Sequence, residues 1–415
     1  MRQLWVGRKR YYLPFYCSVE ILIGCAFFAH PSVYDNHTMT KITVTAKVKL
    51  KSSENDTKCL LDTAKAYTKA CNAVSDYVFR TRVLIHRVLH DELYYSLRNT
   101  YGLKSQMAES VLRTVIARYR SILTKQKKWI HVAFHSYEYD LVWNRDYSLL
   151  NEGVCSVNTL QGRIRFGFHT EGMEHFFSGS WKFGTAKLVH KHNSLFLHIP
   201  VTMETEAVSL DSITEVIGID RGIRFLTVTH SSNGKTTFIS GAQIKQKRAQ
   251  FKALRTQLQK RQTSSARRRL KQIGQRENRW MRDVNHCVSK ALTRSHPAGS
   301  LFVLEDLSGI RNATERVKRK DRYVTVSWSY YDLEQKIRYK AALRGQTVIS
   351  ADPAYTSQCC PVCHHTDKSN RDKKRHVFKC IRCGYQSNDD RIAAMNLCGM
   401  GIKYLAESQK SISLL

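Results

Sequence analysis

The chain has 415 residues, which is long enough for two or three domains that each have a hydrophobic core. It contains 67 Lys and Arg residues against 34 Asp and Glu residues, a formal net charge of +33. An excess of this size goes beyond what solubility requires and indicates a polyanionic partner. Because the positive charge is spread along most of the chain, the composition disfavours a membrane surface and favours nucleic acid.

Four of the 12 cysteines form two Cys-x-x-Cys pairs near the C-terminus, and the other eight are scattered without a framework. This usage is typical of a reducing compartment, where thiols bind metal or pack as small apolar groups. We therefore expect a cytoplasmic location and no membrane attachment.

Residues 1–38 precede the first regular pattern, and within them residues 1–31 imitate a secretory signal, since basic residues precede an apolar run around Ile21 to Phe28. Glu20 interrupts the run, which is too short to span a bilayer and ends at His30-Pro31 without a small-x-small cleavage site. We predict that these residues are an extension of unknown use and that the functional chain starts at Met39.

The first regular pattern is a strict alternation of apolar and polar residues. Its apolar members are Ile42, Val44, Ala46, Val48 and Leu50. This alternation predicts a strand with one buried face. From about residue 56 to residue 125 the apolar period becomes helical, and Gly102 predicts a helix end.

Short strand patterns return between Trp129 and about Val208. The predicted strands include Ile130 to Phe134, Arg163 to Phe166 and Ser194 to Ile199. One strand before the helices and several after them predict a β-barrel that carries a helical insert.

The third section opens with an apolar strand, Val216 to Ile219, that ends at Asp220. Two further strands, Phe225 to Thr229 and Thr236 to Ile239, flank a hairpin signal at residues 231–235, which predicts an antiparallel meander. Further predicted elements follow. They are the strand Leu301 to Leu307, a basic loop from Arg316 to Arg322, a helix with Leu333, Ile337 and Ala341, the strand Thr347 to Ala351, and a last helix beginning near Asp390.

One long helix is predicted from about Ile244 to Leu292, with Arg267-Arg268-Arg269 as an interruption. Its apolar positions are sparse among lysines and arginines such as Arg248 and Arg255, so we expect one narrow packed side and a basic face for phosphate. Its apolar stripe continues through Trp280, Val284, Val288 and Ala291.

The two Cys-x-x-Cys pairs are separated by 16 residues. Two tight turns at this spacing can aim four thiolates at one tetrahedral ion, so the pattern predicts a structural zinc site. The ligands would be Cys360, Cys363, Cys380 and Cys383. Cys359 is an alternative to Cys360, although only Cys360 keeps the two-residue gap to Cys363.

Three separate segments deliver acids to comparable places. Asp220 and Glu305 each end an apolar strand, and Asp390 opens the last helix. Acids brought together would repel one another, and Mg²⁺ or Mn²⁺ would remove that conflict and support phosphodiester cleavage by two ions. Taken singly, Asp220 and Glu305 could pair with Arg221 or a lysine, and Asp390 could cap its helix.

Several segments in this order resemble the signatures of TnpB, the family of transposon-encoded RNA-guided nucleases that are ancestral to type V CRISPR effectors. The segments are Ile217-Gly218-Ile219-Asp220, Leu304-Glu305-Asp306-Leu307, Tyr355-Thr356-Ser357-Gln358, the paired cysteine knuckles and Asp390-x-x-Ala393-Ala394-x-Asn396. The match runs from about residue 40 to residue 400. Leu93-Tyr94-Tyr95 and Tyr101-Gly102-Leu103 also resemble the helical recognition segment of that family.

The resemblance implies an α/β and β multidomain protein. A wedge-type β-barrel would comprise residues 39–55 and 126–212, with a helical recognition insert at residues 56–125. An RNase H-like (RuvC) nuclease domain would comprise residues 213–354 and 386–415, and a zinc-ribbon insert that binds target nucleic acid would occupy residues 355–385.

On the same resemblance, Asp220, Glu305 and Asp390 would hold catalytic Mg²⁺ or Mn²⁺, and the four knuckle cysteines would hold structural zinc. The partners would be a guide RNA and target DNA, which implies a nucleoid-associated protein. The basic stretch Lys368 to Arg375 would hold single-stranded DNA. Tyr355, Tyr385 and Arg382 would either steer the substrate or pack beside the knuckles.

Four features depart from the family pattern. They are Arg221 after the first acid, Ile392 before the alanine pair, His364 after the second knuckle cysteine, and the N-terminal extension. All the proposed ligands remain in place, so an RNA-guided endonuclease is the leading hypothesis. The alternatives are a catalytically weak or silent RNA-guided DNA-binding protein and an accessory, transposase-like zinc-ribbon protein that binds nucleic acid.

Overall fold

The computed structural model describes residues 2–6, 9–13, 40–150, 153–191, 194–307 and 330–412. The apolar run at residues 21–28, Met39 and the basic loop from Arg316 to Arg322 lie outside the described residues. The chain divides into two compact units, one formed mainly by residues 43–203 and the other mainly by residues 204–415. None of the helices in the described ranges combines the length and apolarity that crossing a bilayer demands.

Two strands lie within the N-terminal extension, β1 (Arg2–Val6) and β2 (Lys9–Leu13), and they pair antiparallel with each other. The unit of residues 43–203 is built on an eight-stranded sheet. Its strands are β3 (Thr40–Lys51), β4 (Glu138–Leu141), β5 (Tyr147–Leu150), β6 (Val154–Thr159), β7 (Gly162–Phe168), β8 (Lys182–Phe183), β9 (Ala186–Lys191) and β10 (Ser194–Thr205). They run in the order β4-β9-β10-β3-β7-β6-β5, and β8 pairs with β10. The predicted alternation in β3 is confirmed, since its five apolar residues from Ile42 to Leu50 are all buried.

Three helices separate β3 from β4, namely α1 (Glu54–Thr81), α2 (His86–Tyr101) and α3 (Ser105–Gln126). A capping box starts α1, because Ser53 Oγ accepts from Asp56 N while Ser53 N donates to the Asp56 carboxylate. The predicted helix end at Gly102 is confirmed, since this residue caps α2 in the left-handed conformation with φ 64°.

The strand predicted at Ile130 to Phe134 is wrong. This segment pairs with no strand in the described ranges, because side chains of α1 take several of its main-chain hydrogen bonds. Ser75 Oγ donates to Val132 O at 2.6 Å. Phe134 N donates to Asn72 Oδ1 at 2.7 Å, and Asn72 Nδ2 donates to Phe134 O at 3.0 Å. A β-rich segment therefore lies against a helix and not in the sheet.

The unit of residues 204–415 is built on a second sheet, with strands β11 (Glu215–Asp220), β12 (Phe225–Ser231), β13 (Thr236–Ser240), β14 (Ser300–Glu305) and β15 (Thr347–Ala351). Its helices are α4 (Ala242–Arg261), α5 (Ser264–Arg294), α6 (Tyr330–Ala342) and α7 (Asp389–Ile412). The strand order is β15-β14-β11-β12-β13-β1-β2. The predicted meander is confirmed, since β11, β12 and β13 pair antiparallel, while β14 and β15 pair parallel.

Strands β11 and β14 are buried on both faces, which explains why they are nearly continuous apolar runs. On one face, Ile217, Ile219, Phe302 and Leu304 pack with side chains of α5 and α6. On the other face, α7 packs against the alternate residues of β11 and β14. Gly218 allows this approach, because a Cβ there would collide with the main chain of α7 at Ala394 and Cys398.

The helical stretch predicted from Ile244 to Leu292 is confirmed as α4 and α5, but the interruption predicted at Arg267-Arg268-Arg269 is wrong, because the break lies at Gln262 and Thr263. Gln262 adopts φ 51°, and Thr263 Oγ1 caps α5 by accepting from Ala266 N. In α5 the exposed residue Ala291 is not part of the apolar stripe, which ends with buried Leu292.

Arg248 was predicted to face phosphate and is instead buried between α4 and α5. Its Nε lies 3.5 Å from Glu277 Oε1, and Arg255 Nη2 lies 2.7 Å from Glu277 Oε2. A buried cation of this kind needs its counter-ion, so these arginines contribute to the helix pair before they contribute to a basic face.

A half-buried lysine lies between α5 and α6. Lys340 Nζ donates to His286 O at 2.6 Å and to Ser289 Oγ at 2.7 Å. Burial and then the charge of Lys336 lower the pKa of Lys340 from its ordinary value to about 7.

The first prediction concerns Gly218. The substitution Gly218→Ala forces α7 away from β11 and is expected to lower the free energy of unfolding by about 2 kcal/mol or more, the usual cost of overpacking. The matched control is Gly274→Ala in α5, where nothing lies within 4 Å of an added Cβ. That change is expected to be neutral or to stabilise by up to about 1 kcal/mol. Equal urea midpoints for the two variants would contradict the close packing.

The second prediction concerns pH. Lys340 releases its proton near pH 7 in the folded chain but only near pH 10.4, roughly, when unfolded. The unfolded state therefore binds more protons between these values, so stability is expected to rise with pH, by at most about 1.4 kcal/mol per unit. Lys340→Met should lose this slope in urea titrations from pH 7 to 9, while the exposed control Lys245→Met should keep it. Identical slopes in the two variants would refute the assignment.

Candidate functional site

Asp220 and Glu305 emerge from the same edge of the second sheet. They are the last residues of β11 and β14, which pair in parallel with Ile219 opposite Leu304. Parallel strands lie about 4.8 Å apart, so the two acids stand side by side. Asp390 lies in the first turn of α7, the helix that packs on β11. The sheet and this helix therefore bring all three predicted acids to one region, called the acidic edge below.

Asp220 senses the charges of both other carboxylates. Burial raises the pKa of Asp220 well above its ordinary value, and the charges of Glu305 and Asp390 raise it further. Burial is also the main cause of the raised pKa of Glu305 and of Asp390. Three acids that are harder to ionise than usual are the arrangement that a bound cation would relieve.

Asp220, Glu305 and Asp390 do not together form one of the tight ligand groups found among the described residues. In the described part of the chain, two groups have ligand atoms that all lie within 4.8 Å of one another. They are the four knuckle cysteines and the set His376, Asp389 and Asp390.

Thr356 and Asn396 connect the acidic edge to the knuckles. Both occur in the family-like motifs, but the sequence indicated no role for them. Thr356 Oγ1 donates to Glu305 Oε1 at 2.8 Å. Asn396 Nδ2, on α7, donates to Thr356 O at 2.6 Å and to Cys359 O at 2.8 Å. Their place in those motifs was the one sign in the sequence that they matter. Their contacts could not be predicted, because Glu305 lies 51 residues from Thr356 and Thr356 lies 40 residues from Asn396.

The structure does not show the alternative roles of helix cap for Asp390 and of ion-pair partner to Arg221 for Asp220 or Glu305. Asn388 Oδ1 caps α7 by accepting from Asp390 N at 3.1 Å and from Arg391 N at 3.2 Å, so Asp390 does not serve as the cap. Arg221 forms its ion pair with Glu334 at 3.0 Å, and it donates to the main-chain oxygen of Glu305 rather than to the carboxylate.

The knuckle cysteines form one cluster. Cys360 Sγ lies 3.6 Å from Cys383 Sγ, and Cys363 Sγ lies 3.5 Å from Cys380 Sγ. Cys359 lies outside the cluster, with its Sγ 3.8 Å from the main-chain oxygens of Cys360 and His364. The alternative left open by the sequence is therefore decided in favour of Cys360, and four thiols at this spacing fit a metal such as zinc.

The two knuckles contain the same kind of backbone turn. His364 and Gly384 each follow the second cysteine of a pair, and both adopt the left-handed conformation, with φ 58° and 74°. His364 N donates to Cys360 O, and Gly384 N donates to Cys380 O, each at 2.9 Å. Glycine is the residue that this turn favours, so the departure at His364 carries a cost of about 1 kcal/mol.

The segment around the knuckles forms a small three-stranded sheet of β16 (Arg371–Asp372), β17 (Val377–Lys379) and β18 (Gln386–Asn388). Ile392 of α7 packs with Phe378 against the buried cysteines. This contact accounts for an apolar residue at position 392, where the chain departs from the family pattern. Tyr385 packs on the same cluster, whereas Tyr355 is exposed.

The predicted phosphate-binding stretch Lys368 to Arg375 is only partly available. Arg371 Nε donates to Asp389 Oδ2 at 2.9 Å and its Nη1 donates to Ser357 Oγ at 2.7 Å, so this residue is part of the fold. The exposed basic residues are Lys368, Lys373, Lys374 and Arg375.

Comparison with known families gives two matches. Residues 330–397 match the model described as "Cas12f1-like, TNB domain", and residues 198–308 match the model described as "Probable transposase". The first match covers the knuckles and Asp390, and the second covers Asp220 and Glu305.

Individual relatives cover similar parts of the chain. A protein of Sulfoacidibacillus thermotolerans named CRISPR-associated endodeoxyribonuclease Cas12f1 is 31% identical over 57% of this chain and 58% of its own length. A TnpB-like protein of Methanocaldococcus jannaschii is 26% identical over 53% of this chain and 81% of its own. The chain thus spans little more than half of the first relative.

A solved structure shares the fold. The Cas12f1 chain in a complex with sgRNA and target DNA superposes with a TM-score of 0.57 at 13% identity, covering 86% of this chain and 99% of that one. At this identity the likeness concerns the fold alone. Together, the family models and the named relatives confirm the resemblance of this chain to the TnpB family.

Proposed function

We propose that the chain is an RNA-guided, divalent-metal-dependent DNA endonuclease encoded by a transposable element. It would cleave DNA that matches a transposon-derived guide RNA. The observation that carries the proposal is the acidic edge, where Asp220 and Glu305 end adjacent parallel strands and Asp390 opens the helix packed upon them. The endonuclease names of relatives and the net charge of +33 support it.

The nuclease domain is proposed to be RNase H-like, of the RuvC type, and to comprise residues 213–354 and 386–415. In its support, the order β13-β12-β11-β14-β15, with three antiparallel strands followed by two parallel ones, resembles that fold. Residues 355–385 would form the zinc-ribbon insert. Residues 39–55 and 126–212 would form the wedge barrel, and residues 56–125 the recognition insert.

Asp220, Glu305 and Asp390 would hold Mg²⁺ or Mn²⁺, the hard cations that carboxylate oxygens prefer. Such ions, when bound, activate a water molecule and stabilise the leaving oxygen of a phosphodiester. The chain's own contribution is orientation. Thr356 fixes one oxygen of Glu305 by a hydrogen bond, and Asn396 fixes the loop that carries Thr356.

Cys360, Cys363, Cys380 and Cys383 would hold zinc in a structural site, because four thiolates close the coordination sphere. Phe378 and Ile392 surround the cysteines with apolar contacts, so the ion would also complete a small core. The exposed lysines beside β16 would then lie on an ordered surface available to the DNA backbone.

The third prediction tests the nuclease. The protein is purified with co-expressed RNA from its flanking locus and is assayed on plasmids that carry a guide-matched target beside a randomised motif. Mg²⁺-dependent cleavage is expected, and Asp220→Ala should lower its rate by about 1000-fold or more, because a metal ligand is lost. Target binding should persist, since sequence choice would rest on base pairing.

The control is Asp211→Ala, which removes an exposed carboxylate from the turn before β11 and should cleave normally. Cleavage unaltered by Asp220→Ala would refute that residue's role. Failure to recover any co-purifying RNA would instead favour a zinc-ribbon nucleic-acid-binding protein.

The fourth prediction tests the thiolate site by elemental analysis of the purified chain. About one zinc per chain is expected, and Cys360→Ser should lose it because three thiolates bind the ion less tightly. Cys359→Ser is the matched control from the neighbouring position and should retain the ion. Equal zinc content in the two variants would overturn the choice of Cys360.

A further inference from the structure

Arg221, which departs from the family pattern, is the residue next to Asp220. Its side chain is fully buried, with 0% of its surface exposed. A guanidinium in such a place is stabilised only by specific partners, because removing its hydration is costly. The question is therefore what this arginine holds.

Arg221 connects the acidic edge to the first turn of α6. Its Nη2 donates to the main-chain oxygen of Glu305, the residue whose side chain belongs to the acidic edge. Its Nη1 donates to Glu334 Oε2 at 3.0 Å and lies 3.4 Å from Tyr330 O. One planar group thus joins the end of β14 to the start of α6, which a single ammonium could not do in the same geometry.

The counter-ion of Arg221 is itself held in place. Glu334 Oε1 accepts from Arg338 Nε at 3.0 Å. Arg338 Nη1 in turn donates to Val348 O at 3.0 Å, and its Nη2 donates to Ser350 Oγ at 2.6 Å. The contacts run from β11 through α6 to β15, so the position of the Glu305 main chain is fixed from both sides of β14.

Arg221 also carries a donor that these contacts leave out. Its Nε is buried and has no hydrogen-bond partner among the residues that the structure describes. Buried donors are nearly always satisfied, so this one is suited to an ordered water molecule.

We propose that Arg221 is a positioning residue for the metal centre, which holds the end of β14 so that the Glu305 carboxylate keeps its place beside Asp220. Glu334 is the counter-ion that keeps Arg221 in place. This inference rests on the proposed function, because it assumes that the acidic edge binds divalent cations. It assigns Arg221 no contact with the reacting atoms.

The fifth prediction tests this role by Mn²⁺ binding to the full chain without RNA, followed by electron paramagnetic resonance. Only the binding that Asp220→Ala abolishes is counted. Arg221→Met, which keeps the apolar stem, is expected to raise the dissociation constant for Mn²⁺ about tenfold, as losses around metal ligands typically do. Arg221→Lys keeps the charge but not the two-sided geometry and should recover only part of that loss.

The matched control is Lys336→Met. Lys336 is also a buried cation, lies on α6 and pairs with Asp332, but none of its hydrogen bonds among the described residues reaches β14. This variant should lose a similar amount of thermal stability and keep the Mn²⁺ affinity of the wild type. In the guide-RNA complex, Arg221→Met should also need about tenfold more Mg²⁺ for half-maximal cleavage.

Two results would overturn the inference. They are an unchanged Mn²⁺ affinity in Arg221→Met, and an equal loss of affinity in Lys336→Met. Failure of the proposed function is seen separately, as a wild-type complex that binds Mn²⁺ through Asp220 but cuts no DNA. A wild type without any Asp220-dependent binding would overturn both.

Discussion

The contact between α7 and β11 is the constraint on which the acidic edge depends. At Gly218 the strand offers no side chain, and the helix main chain at Ala394 and Cys398 fills the space that a Cβ would occupy. This depth of packing sets where the first turn of α7 lies, and with it Asp390. A larger residue would lift the helix and move Asp390 away from Asp220, although neither acid would have changed.

The same helix also governs Glu305, through a longer chain of contacts. Asn396 lies less than two turns beyond Asp390 and binds the main chain at Thr356 and Cys359. Thr356 then binds the Glu305 carboxylate. Ile392, between them, packs on the cysteine cluster. One helix therefore relates the acids to the cysteine cluster, so order in that cluster is transmitted to the position of Glu305.

The sequence was informative where local pattern and long-range contact agree. Asp220 and Glu305 could be placed because each is the last residue of an apolar strand that is buried on both faces. Patterns failed where a distant side chain decided the outcome. Residues 130–134 have strand composition but bond to Asn72 and Ser75 of a helix. Arg248 and Arg371 look like phosphate ligands, yet they pair with Glu277 and Asp389.

Arg371 and Arg221 also explain how a basic protein can keep the carboxylates of the acidic edge available to bind cations. Burial raises the pKa of Asp220, whereas the charges of Arg371 and Arg221 lower it. Among the described residues, the hydrogen bonds of these two arginines go to Asp389, Ser357, Glu334 and main-chain oxygens, and not to the Asp220 or Glu305 carboxylates. Their charge therefore offsets repulsion at the acidic edge without occupying the carboxylate oxygens, which stay available for the cations that the proposed function requires.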